Sequence, residues 1–428
     1  MSVLYIIGLL GLLFAGIPVA ASLILVGLAG ILIAGVPVGM VGQRLAFGID
    51  SFTLIAIPLF LLMGNMMNAS GVTTRIYDFA VTMVGHWRAG LAQVNIINSL
   101  IFSGMSGSAL ADAAGMGTIE IRAMKEKGYS ASFAASITAA SATIGPVIPP
   151  STVAVLYAFV ADVSVGRMFM AGVIPGLIMV GVLMVIVRWR GRVLDVPTFP
   201  KAGPNMRLHA AWKALPVLVV PFAMLGGMRT GIFTATEVAA VGALYALVLA
   251  AVYYRTTSRS GVVEAFRETA LSTGAIMLIV ASANVFAWIL ARERIPQEVT
   301  EFVTSMNLSP LALLLVINLI LLVLGMILDA AAILILVTPI AVPAVVALGI
   351  DPVHFGIVMI VNMMIGMITP PVGLALFVVS RVARVSVGSV ARDALPYVGG
   401  FLFVLALLTL FPNLALWLPN LIYGPSTL

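Results

Sequence analysis

Residues 144–151 read Ile-Gly-Pro-Val-Ile-Pro-Pro-Ser, and residues 365–372 read Ile-Gly-Met-Ile-Thr-Pro-Pro-Val. The second stretch follows the first by 221 positions (365 − 144). The match spreads outward at the same spacing: Gly104-Met105 falls on Gly325-Met326, Ala109 on Ala330, Gly128 on Gly349 and Pro175 on Pro396. Glycine opens backbone conformations closed to other residues, and proline removes a donor, so a repeat that keeps both keeps an unusual backbone. Segments 104–175 and 325–396 are read as two copies of one broken unit. Inside a membrane, paired Gly/Pro interruptions of this kind point to a binding site built from discontinuous helices.

Composition places the chain in a membrane. Of its 428 residues, 62% are hydrophobic and 9% charged, with a mean hydropathy of +1.18. Soluble domains carry roughly 25% charged residues. Apolar stretches of about 20 residues recur from end to end, which predicts an all-α polytopic protein. The alternating ten-residue pattern of a barrel is absent. There is no cysteine, so disulfides, thiol catalysis and cysteine metal sites are excluded. The net charge of +6 sits mostly in loops, where it reads as topology signal and anionic-lipid contact rather than nucleic-acid binding. The first basic residue is Arg44, so the N-terminal apolar stretch is expected to be a retained helix and not a signal peptide. No phosphate-binding loop motif occurs, so an energy source would be an ion gradient or a partner.

The hydropathy pattern divides the chain into four regions. Residues 1–50 form an N-terminal scaffold region, with an apolar stretch at 3–35 that Gly16-Ile17-Pro18 can break. Residues 51–187 form the first inverted repeat: a helix at 51–69, an amphipathic interfacial segment at 72–87, a hairpin at 88–121, a broken helix at 131–160 and a helix at 168–187. The hairpin arms are 88–103 and 108–121, too short to cross a core of about 30 Å, so the hairpin is expected to be re-entrant. Residues 188–268 form a basic connector and a helix pair, 214–228 and 235–254. The second inverted repeat, 269–422, holds a helix at 269–291, a hairpin at 309–346, a broken helix at 353–380 and a closing helix at 396–419.

Loop charge predicts that the two units face opposite ways. Arg188, Arg190, Arg192, Lys201, Arg207 and Lys213 mark one connector as cytoplasmic, and Arg255, Arg259 and Arg267 mark the next. Counting outward, the loop with Arg122, Lys125 and Lys127 is cytoplasmic, whereas its counterpart 343–351 has neither Lys nor Arg. The loop with Arg381, Arg384 and Arg392 is cytoplasmic, and its counterpart 161–167 has one Arg and one Asp. The bias reverses at equivalent positions, as alternating access requires. A duplication used only for packing is the plainer alternative.

The first hairpin tip carries Ser103, Ser106 and Ser108 among Gly104 and Gly107. Hydroxyls and free helix-end carbonyls are oxygen ligands, which suit a hard cation such as Na⁺. Facing the tip, Thr143-Ile-Gly-Pro146 and Ile148-Pro-Pro-Ser151 unwind a helix. Close helix packing by a Ser/Gly face is the competing reading. The second tip ends on Asp329, an acid in an apolar stretch, which a cation or a helix N-cap role would stabilise. Its expected partners are Gly366, Thr369 and Pro370, and Asp112 has a weaker version of the same role. Gly104-Met-Ser-Gly107 also fits the G-x-S-G pattern of an intramembrane serine protease, which would need one of His86, His209 or His354 as base. Trp87, Trp189, Trp212 and Trp417 are placed as interfacial anchors, and the 23 methionines as packing.

At these motifs the chain resembles the large (M, DctM-type) membrane subunit of the tripartite ATP-independent periplasmic (TRAP) transporters. The stretches that carry the resemblance run Phe102-SGMSGSALADAAGMG-Thr118, Met124-KEKGYSASFAA-Ser136, Ile144-GPVIPPS-Thr152, Gly231-IFTATEVAAVGALYA-Leu247, Gly325-MILDAAAILILVTPI-Ala341 and Ile365-GMITPPVGLALFV-Val379. Ala235 and Arg122 stand where the family often has Pro. The resemblance implies an elevator-type, sodium-coupled importer of an organic acid in the bacterial inner membrane, not an enzyme, and no cofactor beyond the coupling ion. Its implied partners are a periplasmic substrate-binding protein and a small four-helix membrane subunit, the latter expected on a separate chain. One implied Na⁺ site joins Ser103, Ser106 and Ser108 to the break at Gly145 and Ile148. The other joins Gly325 and Asp329 to Gly366 and Thr369. The substrate would lie between the tips, near Ser106, Ser108, Pro150, Ser151, Thr369 and Pro371. A single-subunit Na⁺/carboxylate symporter of similar inverted-hairpin design is the alternative carrier, and a structural membrane subunit the alternative outside transport.

Overall fold

The computed structural model describes residues 2–192, 199–254 and 258–425, and these form helices and turns without strands. Among the described residues, six helices are long and apolar enough to cross a membrane, or seven if the pair Gly39–Ile49 and Thr53–Ala69, bent by 65°, counts as one span. The outer face of Pro310–Gly325, with Leu315, Val316, Leu319, Ile320 and Val323, is exposed and suits lipid.

The repeated unit is a hairpin followed by a broken helix. In the first copy the hairpin arms are Gly90–Ser106 and a bent second arm, Ala109–Ala114 with Met116–Glu126. The halves of its broken helix are Ala131–Ala142 and Thr152–Val160. The second copy has arms Pro310–Gly325 and Ala330–Ala347, and broken-helix halves Pro352–Gly366 and Leu374–Ala383. Long helices close the two units, Val165–Arg190 around Pro175 and Val387–Leu410 around Pro396. The Pro149–Pro150 and Pro370–Pro371 peptide bonds are both cis.

Local chemistry explains why the copies fold alike with few identical residues. Each second arm starts on an N-cap, Ser108 in one and Asp329 in the other. Each broken helix starts on another, Ser130 and Asp351. Ser and Asp cap equally well, since either oxygen accepts an otherwise unpaired N–H of the first turn. Gly128 and Gly349 follow the second arms with φ of 85° and 75°, a left-handed conformation that a Cβ disfavours.

Packing joins the copies by exchange. The distal half Thr152–Val160 packs on the second hairpin's arm Ala330–Ala347, and the distal half Leu374–Ala383 packs on the first hairpin's second arm. The same reciprocity reaches upstream of the motifs. Ala56–Ala69 packs on Ala235–Val248, and its counterpart Arg259–Arg292 packs on Val19–Ile33. Gly16-Ile17 and Gly231-Ile232 precede these helices, with φ of 82° and 70° at the glycines. The pair between the hairpin units thus packs as the opening of the second copy.

Several boundaries differ from the sequence reading. The apolar stretch 3–35 is two helices, Ser2–Phe14 and Val19–Ile33. The interfacial segment is Val72–Val84, and Ile295–Ser305 is its unanticipated counterpart. The basic connector is shorter than 188–213: Arg188 and Arg190 end one helix, and Arg207 and Lys213 lie inside Pro204–Arg229. Arg259 and Arg267 likewise belong to the 34-residue helix Arg259–Arg292. That helix is about 51 Å long, so its ends pass beyond a core of about 30 Å. Hydropathy marks only the part inside the core; Arg and Lys are good helix formers and continue the helix into water. Arg255 and residues 193–198 lie outside the described residues. The closing segment is Val387–Leu410 followed by Asn413–Tyr423 rather than one helix over 396–419.

Candidate functional site

The first hairpin turns more tightly than its Ser/Gly composition suggests. Ser103, Gly104 and Ser106 lie in the last turns of helix Gly90–Ser106, and only Gly107 (φ 58°) and Ser108 make the tip. Gly104 serves close approach: a Cβ there would come within 3.0 Å of Cβ of Pro221 in Pro204–Arg229. The Ser103 hydroxyl donates to the Leu100 carbonyl at 2.6 Å. Ser106 is buried against Gly64, and its Oγ has no hydrogen-bond partner. Such an orphaned oxygen is costly unless a ligand meets it.

The first break, residues 143–151, is buried throughout. It sits directly behind the tip: Thr152 Oγ1 donates to the Gly107 carbonyl at 3.3 Å. Ser151 caps the distal half, accepting from Ala154 N at 3.0 Å, and its hydroxyl donates to the Pro146 carbonyl. Gly145 lies beside Ser108, whose carbonyl carbon would be 3.6 Å from a Cβ added there. The Ile148 side chain packs on Gly176, and Pro150 presents its carbonyl to Gly107.

In the second copy the contact is closer. A Cβ on Gly366 would be 2.6 Å from Cα of Gly325. Asp329 is half-buried and caps its helix, with Oδ2 accepting from Ala331 N at 3.0 Å. Thr369 donates to the Ile365 carbonyl at 2.6 Å. Here the break is open: Pro370 and Pro371 are exposed. They line a cavity of about 490 Å³ together with Phe377, Gly388, Ala391 and Arg392.

A larger cavity of about 670 Å³ joins the two copies. Ser108, Ala109 and Ala111 line it from the first tip, and Asp329, Ala330 and Ala331 from the second. Pro146, Thr152 and Val153 line it from the first break. Three helix starts, capped by Ser108, Ser151 and Asp329, therefore converge on one space, which the carboxylates of Asp329 and Glu268 also line. Ser103, Ser106, Gly145, Ile148, Pro150, Ser151, Gly325, Gly366, Thr369 and Pro371 are not among its lining residues. The far wall was not anticipated: Asn65 and Asn68 of Ala56–Ala69, and Glu268 and Ser272 of Arg259–Arg292. Asn65 Nδ2 donates to Thr269 Oγ1 at 2.9 Å, which ties these two helices. The signal was in the sequence, as polar residues at i,i+3 and i,i+4 spacing in apolar helices.

The protease reading does not survive this geometry. Ser106 Oγ has no base on it, His354 Nε2 is held by the Leu408 carbonyl at 2.8 Å, and His209 sits in Pro204–Arg229.

Comparison with known proteins agrees with this architecture. The family model described as "Tripartite ATP-independent periplasmic transporter, DctM component" matches residues 6–414. The chain is 45% identical over 420 residues to the sialic acid TRAP transporter large permease protein SiaM of Vibrio cholerae, covering 98% of each chain. It is 40% identical over 440 residues to the C4-dicarboxylate TRAP transporter large permease protein DctM of the same organism, covering 97% of each. Among solved structures, the YdaH transporter of Alcanivorax borkumensis shares the fold, with a TM-score of 0.68, 16% identity and 88% coverage of each chain. An inverted pair of hairpin units around one shared cavity, in a multi-pass inner-membrane chain matched almost end to end, makes this protein a member of the DctM family of TRAP transporter large permeases, a transporter component and not an enzyme.

Proposed function

We propose that this chain is the membrane pathway for sodium-coupled import of an organic acid that a periplasmic substrate-binding protein delivers. The observation that carries this reading is the cavity of about 670 Å³ bounded by Ser108 and Asp329, the caps of the two hairpins. Its size suits a small ligand. Its helix starts favour a carboxylate, and the TRAP relatives named above transport such anions.

Sodium would supply the driving force at two places. The first lies at Ser103, Ser106, Ser108 and the carbonyls of Gly145 and Ile148, where the orphaned Ser106 oxygen accepts a cation. The second lies at Gly325, Asp329, Gly366 and Thr369, where Asp329 has lone pairs to spare beyond its cap bond. Both sets are oxygen-only, as Na⁺ prefers. The substrate carboxylate would meet Ser108 and the helix starts, with Ser106, Pro150, Ser151, Thr369 and Pro371 framing it as the tips move. The two breaks differ in exposure, the first buried and the second open beside Arg392. We read this as one side of an alternating-access cycle, with the second break open to the cytoplasm, and the units moving as an elevator against Ala56–Ala69 and Arg259–Arg292. A small four-helix subunit would complete the scaffold.

The test is uptake in proteoliposomes containing the chain with its small subunit and loaded binding protein. Uptake should require an inward Na⁺ gradient and the binding protein together. Uptake that persists without the binding protein would instead favour a single-subunit symporter, and gradient-independent uptake would remove sodium from the scheme.

A further inference from the structure

The first hairpin holds a polar cluster that the transport scheme above does not use. Asp112 and Glu120, on its second arm, are each 2% exposed. Glu120 accepts from Asn98 Nδ2 at 2.8 Å through Oε1 and from Asn95 Nδ2 at 2.6 Å through Oε2. Asn95 Nδ2 also reaches Thr138 Oγ1 at 2.8 Å, and Ser141 donates to Asn95 Oδ1. Ser99 donates to Ser141 at 3.1 Å and faces the Asp112 carboxyl group. Among the described residues, no Lys, Arg or His forms an ion pair with either acid.

A donor and acceptor count exposes an imbalance. Asp112 Oδ2 and Asn98 Oδ1 are buried acceptors without a partner, and the two carboxylates bring no donor of their own when ionised. Buried acceptors in excess, beside two acids without a counter-charge, call for positive charge from solution.

The second copy does not share this cluster. In the second copy, 221 positions on, Asn95, Asn98, Ser99, Asp112 and Glu120 are replaced by Val316, Leu319, Ile320, Ile333 and Ala341. Val316, Leu319 and Ile320 face outward, and the buried amide of the second hairpin's first arm is Asn318, bonded to Thr409 and Asn362, so paired acids are not a feature that the repeated unit imposes.

We propose that Asp112, Glu120 and the Asn98 carbonyl form a monovalent-cation site inside the first hairpin, distinct from the tip sites. All its ligands are oxygens, which suits Na⁺ or a proton and not a soft metal. No group of three or more His, Cys, Asp or Glu gathers among the described residues, so a multidentate divalent site is not built here. The site deepens the ion coupling proposed above and rests on it only for its consequence in flux.

The experiment reads occupancy without transport. The full chain is purified in detergent in a Ser106→Ala/Asp329→Asn background, which weakens both tip sites by removing one side-chain ligand from each. Its melting temperature is followed against NaCl, with choline chloride as control, at acid and at alkaline pH. The expected result is stabilisation by Na⁺ or by acid that Asp112→Asn/Glu120→Gln abolishes or moves by about tenfold in cation concentration. Na⁺ stabilisation at alkaline pH identifies sodium; stabilisation by acid alone identifies the proton. If the isosteric pair does not fold, Asp112→Ile/Glu120→Ala, which copies the second hairpin, takes its place. A background protein insensitive to both cations, or a response unchanged in the paired variant, overturns the site. Melting needs neither partner nor gradient, so that result would leave the transport reading standing, and failed uptake would leave this site standing.

Discussion

Gly366 rests directly on Gly325, backbone against backbone, with Cα of Gly325 only 2.6 Å from where a Cβ on Gly366 would stand. No side chain fits between the second hairpin and its broken helix. The counterpart Gly145 has more room, its virtual Cβ meeting the Ala142 carbonyl oxygen at 3.2 Å and Ser108 only at 3.6 Å. Gly366→Ala should therefore force the backbones apart, at about 1–3 kcal/mol, and reduce Na⁺-driven uptake by about tenfold or more. Gly145→Ala should stay within about threefold of wild type. Equal uptake by the two variants, at matched membrane yield, would contradict the geometry.

Asp329 caps its helix and is proposed to bind Na⁺, and one substitution divides the two roles. Asn caps a helix as well as Asp, so Asp329→Asn keeps the bond to Ala331 N and should leave thermal stability within about 0.5 kcal/mol. It removes the charge, so the Na⁺ concentration for half-maximal uptake should rise by about tenfold. Asp329→Ala should show the same uptake defect plus a loss of about 1 kcal/mol from the cap. A Na⁺ response unchanged in Asp329→Asn would leave Asp329 as a cap alone.

Ser106→Ala removes an oxygen that has no protein partner. An unsatisfied buried hydroxyl costs stability, so the variant in sodium-free buffer should melt no lower than wild type. Added NaCl should stabilise it less than wild type. A drop in melting temperature without sodium would show that the hydroxyl is bonded within the protein.

Arg190 ties the closing helices of the two copies. It pairs with Asp393 at 2.9 Å and donates to the Asp393 carbonyl at 2.8 Å. Its guanidinium also lies over Phe133, 4.8 Å from the ring centroid. Lys offers one compact charge in place of a planar fork, so Arg190→Lys should recover only part of what Arg190→Ala loses, about 1–3 kcal/mol. Thermal melting of the two variants checks the order.

Inversion itself predicts labelling. Single cysteines placed in 122–130 and in 343–351 should react with impermeant maleimide from opposite sides of the membrane, against a background that has no native cysteine. Labelling from one side only would remove the inverted arrangement.

The broken helices were readable because Gly and Pro act on the backbone locally: Pro149-Pro150 and Pro370-Pro371 interrupt their helices wherever they are placed. Helix ends were less so. Arg259 to Arg267 looked like a loop because charge lowers hydropathy, although the helix simply leaves the bilayer. Ser103-Gly-Met-Ser106 looked like a tip, yet it continues a helix whose glycine fits against Pro221, more than 100 positions away. Local composition carries no information about such a partner.

Sequence alone determined the duplicated unit, its interruptions and the charge pattern that orients it, since spacing, Gly/Pro chemistry and loop charge act within short stretches of chain. Only the tertiary structure decided that Ser108 and Asp329 share one cavity, that Asn65 and Glu268 close its far wall, and that one break is buried while its twin is open. Those facts depend on which surfaces meet across some two hundred residues, and near-identical motifs can pack into unequal environments.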